Sequence, residues 1–274
     1  MKILVAVDME GITGVVHWDQ VMPDQPDYAR FRKLMVADVN AAVSGAFDGG
    51  ASEVIVADGH HAGLNLPVDE LDPRVRLNSG MGTAPHSMMQ GIDESVDGVL
   101  FVGYHARAGS QSAVLDHTWS SKIANVWLND VLVGEYGLNA ALAGYFGVPV
   151  LMVTGDRITC EQVTELLGAV EAVPVKDGTG RYSAECLPPA VTQPAIREAA
   201  RRALLRLKKG NVPEAFILDT PVVLTVEFTL TEYADRAAQI PAVQRTGLQI
   251  SYTAPDMNTA YLAFRAIANL GTAG

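Results

Sequence analysis

Residues 1–20 read MKILVAVDMEGITGVVHWDQ, and the first half of this stretch decides the fold. Residues 3–7 form an unbroken apolar run, which is typical of a β-strand buried on both faces in a parallel sheet. The run ends at Asp8, and Glu10 follows two residues later. Two carboxylates at the exit of a buried strand need partners that offset the loss of their hydration. The stretch therefore predicts a strand with a functional site at its carboxyl end.

Three further apolar runs alternate with helical patterns in the first half of the chain. They lie in EVIVADGHH (residues 53–61), GVLFVGYHAR (98–107) and GVPVLMVTGD (147–156). Residues 28–50 repeat apolar side chains at helical spacing and end in two glycines, as amphipathic helices often do. This alternation predicts an α/β fold with a largely parallel sheet and helical crossovers.

The second half of the chain has a different pattern. Residues 222–230 and 248–253 alternate apolar and polar side chains, which indicates half-exposed antiparallel strands. Helices are expected from a Thr159 to Gln162 capping box, from Pro194, and over residues 256–271. We therefore expect a metal-binding catalytic α/β domain over residues 1–158. A smaller α+β domain over residues 159–274 is expected to contribute to oligomer contacts.

The amino-acid composition limits which partners the protein is expected to bind and in which compartment it is expected to lie. The 20 basic and 31 acidic residues give a formal net charge of -11, which disfavours nucleic acid and anionic membranes as partners. Cys160 and Cys186 lack C-x-x-C spacing, so neither a disulfide framework nor a thiolate zinc site is indicated. No apolar run approaches the roughly 18 residues of a membrane span. These features predict a soluble cytoplasmic protein.

Acidic and imidazole side chains follow three of the predicted strands. In open α/β sheets, ligands bind beyond the carboxyl ends of the strands. The first strand is followed by Asp8 and Glu10, the second by Asp58 and His60, and the third by His105. Oxygen and imidazole ligands without thiolate suit zinc, with manganese or another divalent ion as the alternative. A further carboxylate, Glu135, would allow two ions to share a bridging ligand.

Each of these residues also has a structural explanation when it is taken alone. A single strand-end Asp can accept hydrogen bonds from backbone amides, and a carboxylate at a helix start such as Glu135 is favoured by the helix dipole. Isolated histidines are usually hydrogen-bonded structural residues. We expect His17, His61 and His86 to lie outside the site, with His61 pointing away from it if His60 points in. The coincidence of three strand ends favours the metal site.

Five motifs in order along the chain resemble a known family. VDMEGITG, DGHHAGLN, GYHARAG, LDHT and VGEYGLNA are similar to the motifs of the D-aminopeptidases of the DppA family, zinc metallopeptidases associated with dipeptide-transport operons. The resemblance covers about the first 155 residues and extends more thinly to VKDGTGRYSAECLPP. Arg181 and Ser183 lie in this thinner part. Ordinary surface roles are favoured for both, and the alternative is that they reach the site from a neighbouring element.

The resemblance implies two zinc ions per subunit and a catalytic histidine. The implied ligands are Asp8, Glu10, His60, His105 and Glu135. One ion would take Asp8, Glu10 and His60, the other Asp8, His105 and Glu135, so that Asp8 bridges them. His117, in LDHT, corresponds to the family's catalytic nucleophile. A water activated by the metal is the more familiar nucleophile, with His117 as general base or proton donor. The sequence leaves these two roles open.

The resemblance also implies the substrate and the assembly. Short peptides with an N-terminal D-residue such as D-Ala are the expected substrates, and a closed homo-oligomeric ring, a decamer, is the expected assembly. His61 and Tyr136 depart from the residues usual in the family, which leaves substrate preference open. The alternatives are an aminopeptidase for L-peptides and a non-catalytic peptide-binding accessory of a dipeptide transporter. A dinuclear metal phosphatase or phosphodiesterase is a weaker alternative, because a phosphate substrate usually needs nearby cations and only Arg107 and Lys122 lie near the motifs.

Overall fold

Two β-sheets and six α-helices form the fold in the computed structural model, which describes residues 1–273. The strands are β1 (Lys2–Val7), β2 (Glu53–Asp58), β3 (Val75–Asn78), β4 (Gly98–Tyr104), β5 (Ile123–Leu128), β6 (Val131–Val133), β7 (Val150–Asp156), β8 (Glu171–Gly180), β9 (Ser183–Cys186), β10 (Val222–Phe228), β11 (Gln244–Thr246) and β12 (Gln249–Ala254). The helices are α1 (Tyr28–Gly49), α2 (Glu135–Tyr145), α3 (Arg157–Leu167), α4 (Pro189–Lys208), α5 (Thr231–Ala237) and α6 (Met257–Thr272).

The larger sheet has seven strands in the order β3-β2-β1-β4-β7-β8-β9. Its neighbouring strands are parallel from β3 to β8, and β9 alone runs antiparallel to β8. The chain extends the sheet to one side of β1 with β2 and β3, and to the other side with β4, β7 and β8. The predicted α/β fold with a largely parallel sheet is therefore confirmed. The strand order reverses between β1 and β4, and such switch points form ligand-binding crevices.

Both faces of β1 are buried, as its apolar run predicts. Ile3, Val5 and Val7 pack on one side with residues of α1 and α4. Leu4 and Ala6 pack on the other side with residues of α2, α6 and the smaller sheet. Because successive side chains of a strand point to opposite faces, one short run joins both hydrophobic cores. The strand that ends at Asp8 is thus fixed at the centre of the molecule.

The smaller sheet has the antiparallel order β11-β12-β10-β5-β6. β10 buries one face and leaves the other partly exposed, as its alternating sequence predicts. The β5–β6 hairpin turns at Asn129 and Asp130, which both have positive φ angles suited to a tight turn. Both sheets take strands from either side of residue 158, so this boundary does not coincide with a division between sheets. The division into two domains stays a prediction.

Two helices begin earlier than their sequence patterns predict. The N-cap of α3 is Asp156, whose side chain accepts a hydrogen bond from the Thr159 amide, so the predicted capping box starting at Thr159 is wrong. The helix α4 begins at Pro189 and contains Pro194. Proline fits the first turn of a helix, so Pro189 supplies the earlier start.

Among the described residues, no helix combines the length and apolar character needed to cross a bilayer.

The ends of β1 and β4 approach each other because Gly103 has no side chain. The Gly11 amide donates to the Gly103 carbonyl at 2.8 Å. A Cβ atom on Gly103 would lie 2.3 Å from the carbonyl oxygen of Asp8. The φ of Gly103 is +73°, a value that residues other than glycine rarely adopt. This close approach brings Asp8 beside the segment that follows β4.

Gly103→Ala is expected to lower the free energy of unfolding by about 3 kcal/mol or more, because it combines backbone strain with a steric overlap. Gly80→Ala is the matched control, since Gly80 also has a positive φ, of +87°, but no atom lies within 4 Å of its added Cβ. The control should lose only about 1–2 kcal/mol. Urea unfolding of both variants measures the difference. Equal losses would show that the overlap at Gly103 relaxes without cost.

Candidate metal centre

Acidic and imidazole side chains converge at the switch point between β1 and β4. Each of the five has an exposed fraction of 2–6%; they are Asp8, Glu10, His60, His105 and Glu135. Asp8 directly follows β1, the loop after β2 supplies His60, and His105 directly follows β4. The structure therefore brings together the five residues whose motifs predict a metal site.

His60 directs one ring nitrogen at two carboxylates. Its Nε2 donates a hydrogen bond of 2.9 Å to the carbonyl oxygen of Val21. Its Nδ1 lies 3.3 Å from Asp8 Oδ1 and 3.1 Å from Glu10 Oε2. A neutral imidazole bonded in this way places a lone pair opposite carboxylate oxygens. A proton or a metal ion must therefore lie between these atoms.

His105 repeats this arrangement on the other side of Asp8. Its Nδ1 lies 3.0 Å from the carbonyl oxygen of Ala106. Its Nε2 lies 3.3 Å from Asp8 Oδ2 and 3.2 Å from Glu135 Oε1. Asp8 Oδ2 and His105 Nε2 are nevertheless buried without a hydrogen-bond partner among residues 1–273. Buried polar atoms are seldom left unpaired, and converging lone pairs of this kind fit a metal ion.

The ionisation of these groups reflects their mutual attraction. Burial acts to raise the pKa of Asp8, but the attraction of the neighbouring His105 and His60 rings outweighs it and holds the pKa well below its ordinary value. Burial acts to lower the pKa of both histidines, but Glu10 beside His60 and Glu135 beside His105 raise it well above the ordinary value. Without a metal ion, each imidazole therefore carries a second proton on the nitrogen that faces the carboxylates. Binding of a divalent cation would release these two protons.

Glu135 is oriented by its position at the start of α2. Its Oε1 accepts a hydrogen bond of 2.7 Å from the backbone amide of Trp119. Burial acts to raise the pKa of Glu135, but the charge of His105 outweighs it and lowers the pKa. A helix N-terminus also favours a negative side chain. Glu135 is therefore held as a carboxylate facing His105.

His117 lies at the edge of the same cluster. Its Nδ1 bonds to the Leu115 carbonyl at 2.8 Å, and its Nε2 lies 3.7 Å from Glu135 Oε1 and 3.9 Å from Glu10 Oε1. The ring stacks on His105 with centroids 3.9 Å apart. Burial and the charge of His105 lower the pKa of His117, so its Nε2 presents a lone pair to the cluster.

Two groups of three residues have ligand atoms that all lie within 4.8 Å of one another. One group is Asp8, Glu10 and His105, and the other is His105, His117 and Glu135. The geometry therefore permits His117 either to bind a metal ion or to carry a proton beside it.

A buried lysine holds the loop that carries Glu10. Lys176, in β8, is 2% exposed. Its Nζ donates to the carbonyl oxygens of Glu10 at 2.6 Å, Ile12 at 3.0 Å and Val15 at 2.7 Å. Burial lowers its pKa to about 8. Sequence reasoning missed Lys176, because a lone lysine in a strand is usually solvated.

A second buried group fixes the same loop from α1. Asp38 accepts a hydrogen bond of 3.0 Å from the Thr13 amide, and the Thr13 hydroxyl donates to Thr192 in α4 at 2.8 Å. Burial raises the pKa of Asp38 to about 6, although the hydrogen bond from the Thr13 amide and the charge of Lys176 oppose this. The loop after β1 is thus attached to both α1 and α4.

A cavity of about 910 Å³ opens onto the cluster. Its apolar walls include two tryptophans and three methionines, namely Trp18, Trp119, Met22, Met81 and Met88, and its charged walls include Arg181 and Arg265. His61 also lines it, so the expectation that His61 points away is wrong. The φ of His61 is +52°, which breaks the alternation of an extended strand. Sequence reasoning did not identify the tryptophans or Arg265 as site residues.

Other candidate residues have structural roles. Asp58 accepts hydrogen bonds from the amides of Asn65 and Leu66 and so closes the loop that carries His60. His17 is exposed beside Asp19, and His86 Nε2 bonds to Asn258 at 3.0 Å, so neither is part of the cluster. The expectation for these two histidines is confirmed.

A family model described as D-aminopeptidase matches residues 1–266 of the chain. The chain belongs to the D-aminopeptidase family. The D-aminopeptidase of Bacillus subtilis (strain 168) is 37% identical to it over 272 residues, which are 98% of this chain and 97% of that protein. The resemblance based on five motifs is therefore confirmed.

A solved structure of the family has the same fold. It is described as the Zn-dependent D-aminopeptidase DppA from Bacillus subtilis, a self-compartmentalizing protease. It matches with a TM-score of 0.96 and 34% sequence identity, covering 100% of this chain and 99% of the other. The zinc dependence of the Bacillus subtilis protein agrees with the oxygen and imidazole donors that form the cluster in this chain.

Asp38→Asn is expected to change how stability depends on pH. The pKa of Asp38 is raised to about 6 from 3.8, so the folded state holds this proton more tightly than the unfolded state. The contribution of Asp38 to the free energy of unfolding therefore falls as pH rises from about 4 to 6. Asparagine does not titrate in this range, so the free energy of unfolding of the variant does not fall for this reason. The variant should gain about 2–3 kcal/mol in unfolding free energy relative to wild type between pH 4 and 7. Urea unfolding of the chelator-treated proteins tests this, and a constant difference would contradict it.

Proposed function

We propose that this chain is a zinc-dependent aminopeptidase that removes an N-terminal D-residue, such as D-Ala, from short peptides. The observation that carries the proposal is the pair of buried, unpartnered atoms Asp8 Oδ2 and His105 Nε2, which converge beside Glu135. The family model and the Bacillus subtilis relatives, named as D-aminopeptidases, support the reaction and the substrate class.

Two zinc ions per subunit fit the two sides of Asp8. Its Oδ1 faces His60 and its Oδ2 faces His105, which supports a bridging role for this carboxylate. Glu10 completes the set on the His60 side, and Glu135 completes it on the His105 side. When bound, the two ions would supply Lewis-acid polarisation of the peptide carbonyl and activation of water near neutral pH.

The protein's own residues orient the ligands and move protons. The backbone carbonyls of Val21 and Ala106 fix the ring orientations of His60 and His105, and the Trp119 amide fixes Glu135. His117 presents an unprotonated Nε2, which can accept a proton during attack and return it to the leaving amine. That atom lies farther from the carboxylates than the imidazole nitrogens of His60 and His105, which favours a proton-carrying role.

The surroundings of the centre suit a small peptide. The tryptophans and methionines of the cavity wall would pack against its side chains and exclude water from the reacting bond. Methionines adapt their shape to the group they contact. A cavity of about 910 Å³ holds a dipeptide or tripeptide and would exclude a folded protein domain.

A closed assembly is supported by the solved relative, which is described as a self-compartmentalizing protease. We infer a closed homo-oligomeric ring of ten subunits, to which residues 159–274 contribute contacts. Exposed apolar side chains such as Ile217, Leu230 and Leu262 support a subunit interface in this part of the chain. A cytoplasmic location agrees with two free cysteines.

The zinc-loaded protein is expected to hydrolyse D-Ala-D-Ala and to cleave L-Ala-L-Ala much more slowly. A chelator should abolish turnover, and added zinc should restore it, because the metal supplies the activation of water. Release of free alanine measures both reactions. Activity on the L-peptide alone would contradict the proposed stereospecificity, and turnover that resists complete zinc removal would contradict the metal mechanism.

His117→Ala is expected to lower kcat by roughly 100- to 10,000-fold, the usual range for a general acid–base residue, while two zinc ions per chain remain bound. His86→Ala is the matched control, because His86 lies outside the cluster and bonds to Asn258. It should keep wild-type activity. Loss of one zinc ion in His117→Ala would make His117 a ligand, and an unchanged rate would exclude it from catalysis.

A further inference from the structure

We propose that Arg181 binds the C-terminal carboxylate of the peptide substrate and thereby selects short peptides with a free C-terminus. The inference rests on the proposed aminopeptidase function and adds a specificity-determining residue to it. It accounts for an arginine that lies on the cavity wall but outside the metal cluster.

Arg181 is placed by the hairpin that joins β8 and β9. β8 ends at Gly180 and β9 begins at Ser183, so Arg181 and Tyr182 form the tip. The carbonyl of Arg181 accepts a hydrogen bond of 2.9 Å from the Leu115 amide. The carbonyl of the same Leu115 bonds to His117 Nδ1 at 2.8 Å. One backbone segment therefore fixes the hairpin tip relative to the proposed catalytic imidazole.

Arg181 and Arg265 are the two permanently charged cations among the described residues that line the cavity. Arg265 is occupied, because its guanidinium donates to the carbonyl oxygens of Ala84 and Pro85 and to those of Met81 and Gly82. These bonds hold the segment of residues 81–85 against α6. Both Nη nitrogens of Arg265 are therefore used, and its Nε, although it has no partner, is buried, so Arg265 offers no exposed pair of donors to a substrate anion.

The guanidinium of Arg181 keeps donors available. Within residues 1–273 it makes one hydrogen bond, from Nη1 to Asp116 Oδ1 at 2.8 Å, and its side chain is 35% exposed. A guanidinium group has five N–H donors in a planar fork, and a carboxylate binds two of them in parallel. The donors on Nε and on the second Nη nitrogen can therefore receive a carboxylate.

Asp116 orients Arg181 without occupying all its donors. Asp116 is buried, and its second oxygen accepts a hydrogen bond of 2.8 Å from the Gly109 amide, so the carboxylate is fixed from two sides. The guanidinium carbon also lies 5.8 Å from the Tyr182 ring centroid. A side chain held in this way loses less conformational freedom when a ligand binds.

The charge distribution of a short peptide matches this arrangement. Its reacting end carries the α-amino group and must lie at the metal cluster, while its only carboxylate lies at the opposite end. Each residue spans at most about 3.3–3.6 Å, so a dipeptide or tripeptide extends roughly 7–11 Å. A longer peptide would place neutral backbone beside Arg181. Because Arg181 lines the same cavity as the metal cluster, the proposal implies a preference for peptides whose carboxylate lies within two or three residues of the cleaved bond.

The test compares kcat/KM for D-Ala-D-Ala and for the same dipeptide with a C-terminal carboxamide. Wild type should prefer the free acid by roughly 10- to 100-fold, chiefly through KM, as expected for a charge-assisted hydrogen bond. Arg181→Met should lose this preference by weakening only the reaction of the free acid, and Arg181→Lys should keep part of it. Arg157→Met is the matched control, because Arg157 pairs with Asp177 on the surface away from the cavity. It should keep the wild-type ratio.

The outcomes separate this proposal from the function on which it rests. Equal kcat/KM values for the acid and the amide in wild type would overturn the role of Arg181, as would an unchanged preference in Arg181→Met. Failure of wild type to hydrolyse either peptide would contradict the aminopeptidase function instead. Zinc content and thermal unfolding are measured for each variant. If Arg181→Met does not fold, the wild-type ratio and Arg181→Lys decide the question.

Discussion

The buried carboxylate of Asp8, placed between two imidazoles that each direct a nitrogen at it, is the interaction on which the rest of the site depends. Its position follows from a strand that is apolar on both faces and from Gly103, which lets the end of β4 approach. Burial makes the cluster unstable without cations, because unpaired charges in a protein interior are costly. Protons or metal ions must offset that charge, and the fold provides the ligands for both.

A second set of contacts maintains the loop after β1 in the shape that this interaction needs. Lys176 binds three of its carbonyls from β8, and Asp38 binds its backbone from α1. The Lys176 ammonium uses three donors on three carbonyl oxygens, and a buried polar group paired in this way rigidifies a core. The loop that carries Glu10 is therefore fixed both from β8 within the sheet and from α1, which covers one face of the sheet. This support is typical of sites in which ligand geometry must be held within a fraction of an ångström.

The sequence predicts the centre of the molecule well. The apolar run of β1 and the residues that follow β1, β2 and β4 indicate both the parallel sheet and the metal cluster, because local pattern and strand order determine them. Lys176 was not predictable as a supporting residue of the site, and the surface role favoured for Arg181 is wrong because Arg181 lines the cavity. The position of each depends on a contact with a segment more than 60 residues away in the chain. His61 was placed wrongly because a single left-handed residue reverses a side chain without a sequence signal. The early start of α4 depended on which of several prolines occupies the first turn.

The most direct test of the account is anomalous X-ray scattering from crystals of the zinc-loaded protein, measured on both sides of the zinc absorption edge. The account predicts two zinc peaks per chain, one beside His60 and Glu10 and one beside His105 and Glu135, with Asp8 bound to both. A metal separation of roughly 3.5–4 Å is expected for a bridged pair. A single peak, or two peaks of which one does not contact Asp8, would contradict the dinuclear centre.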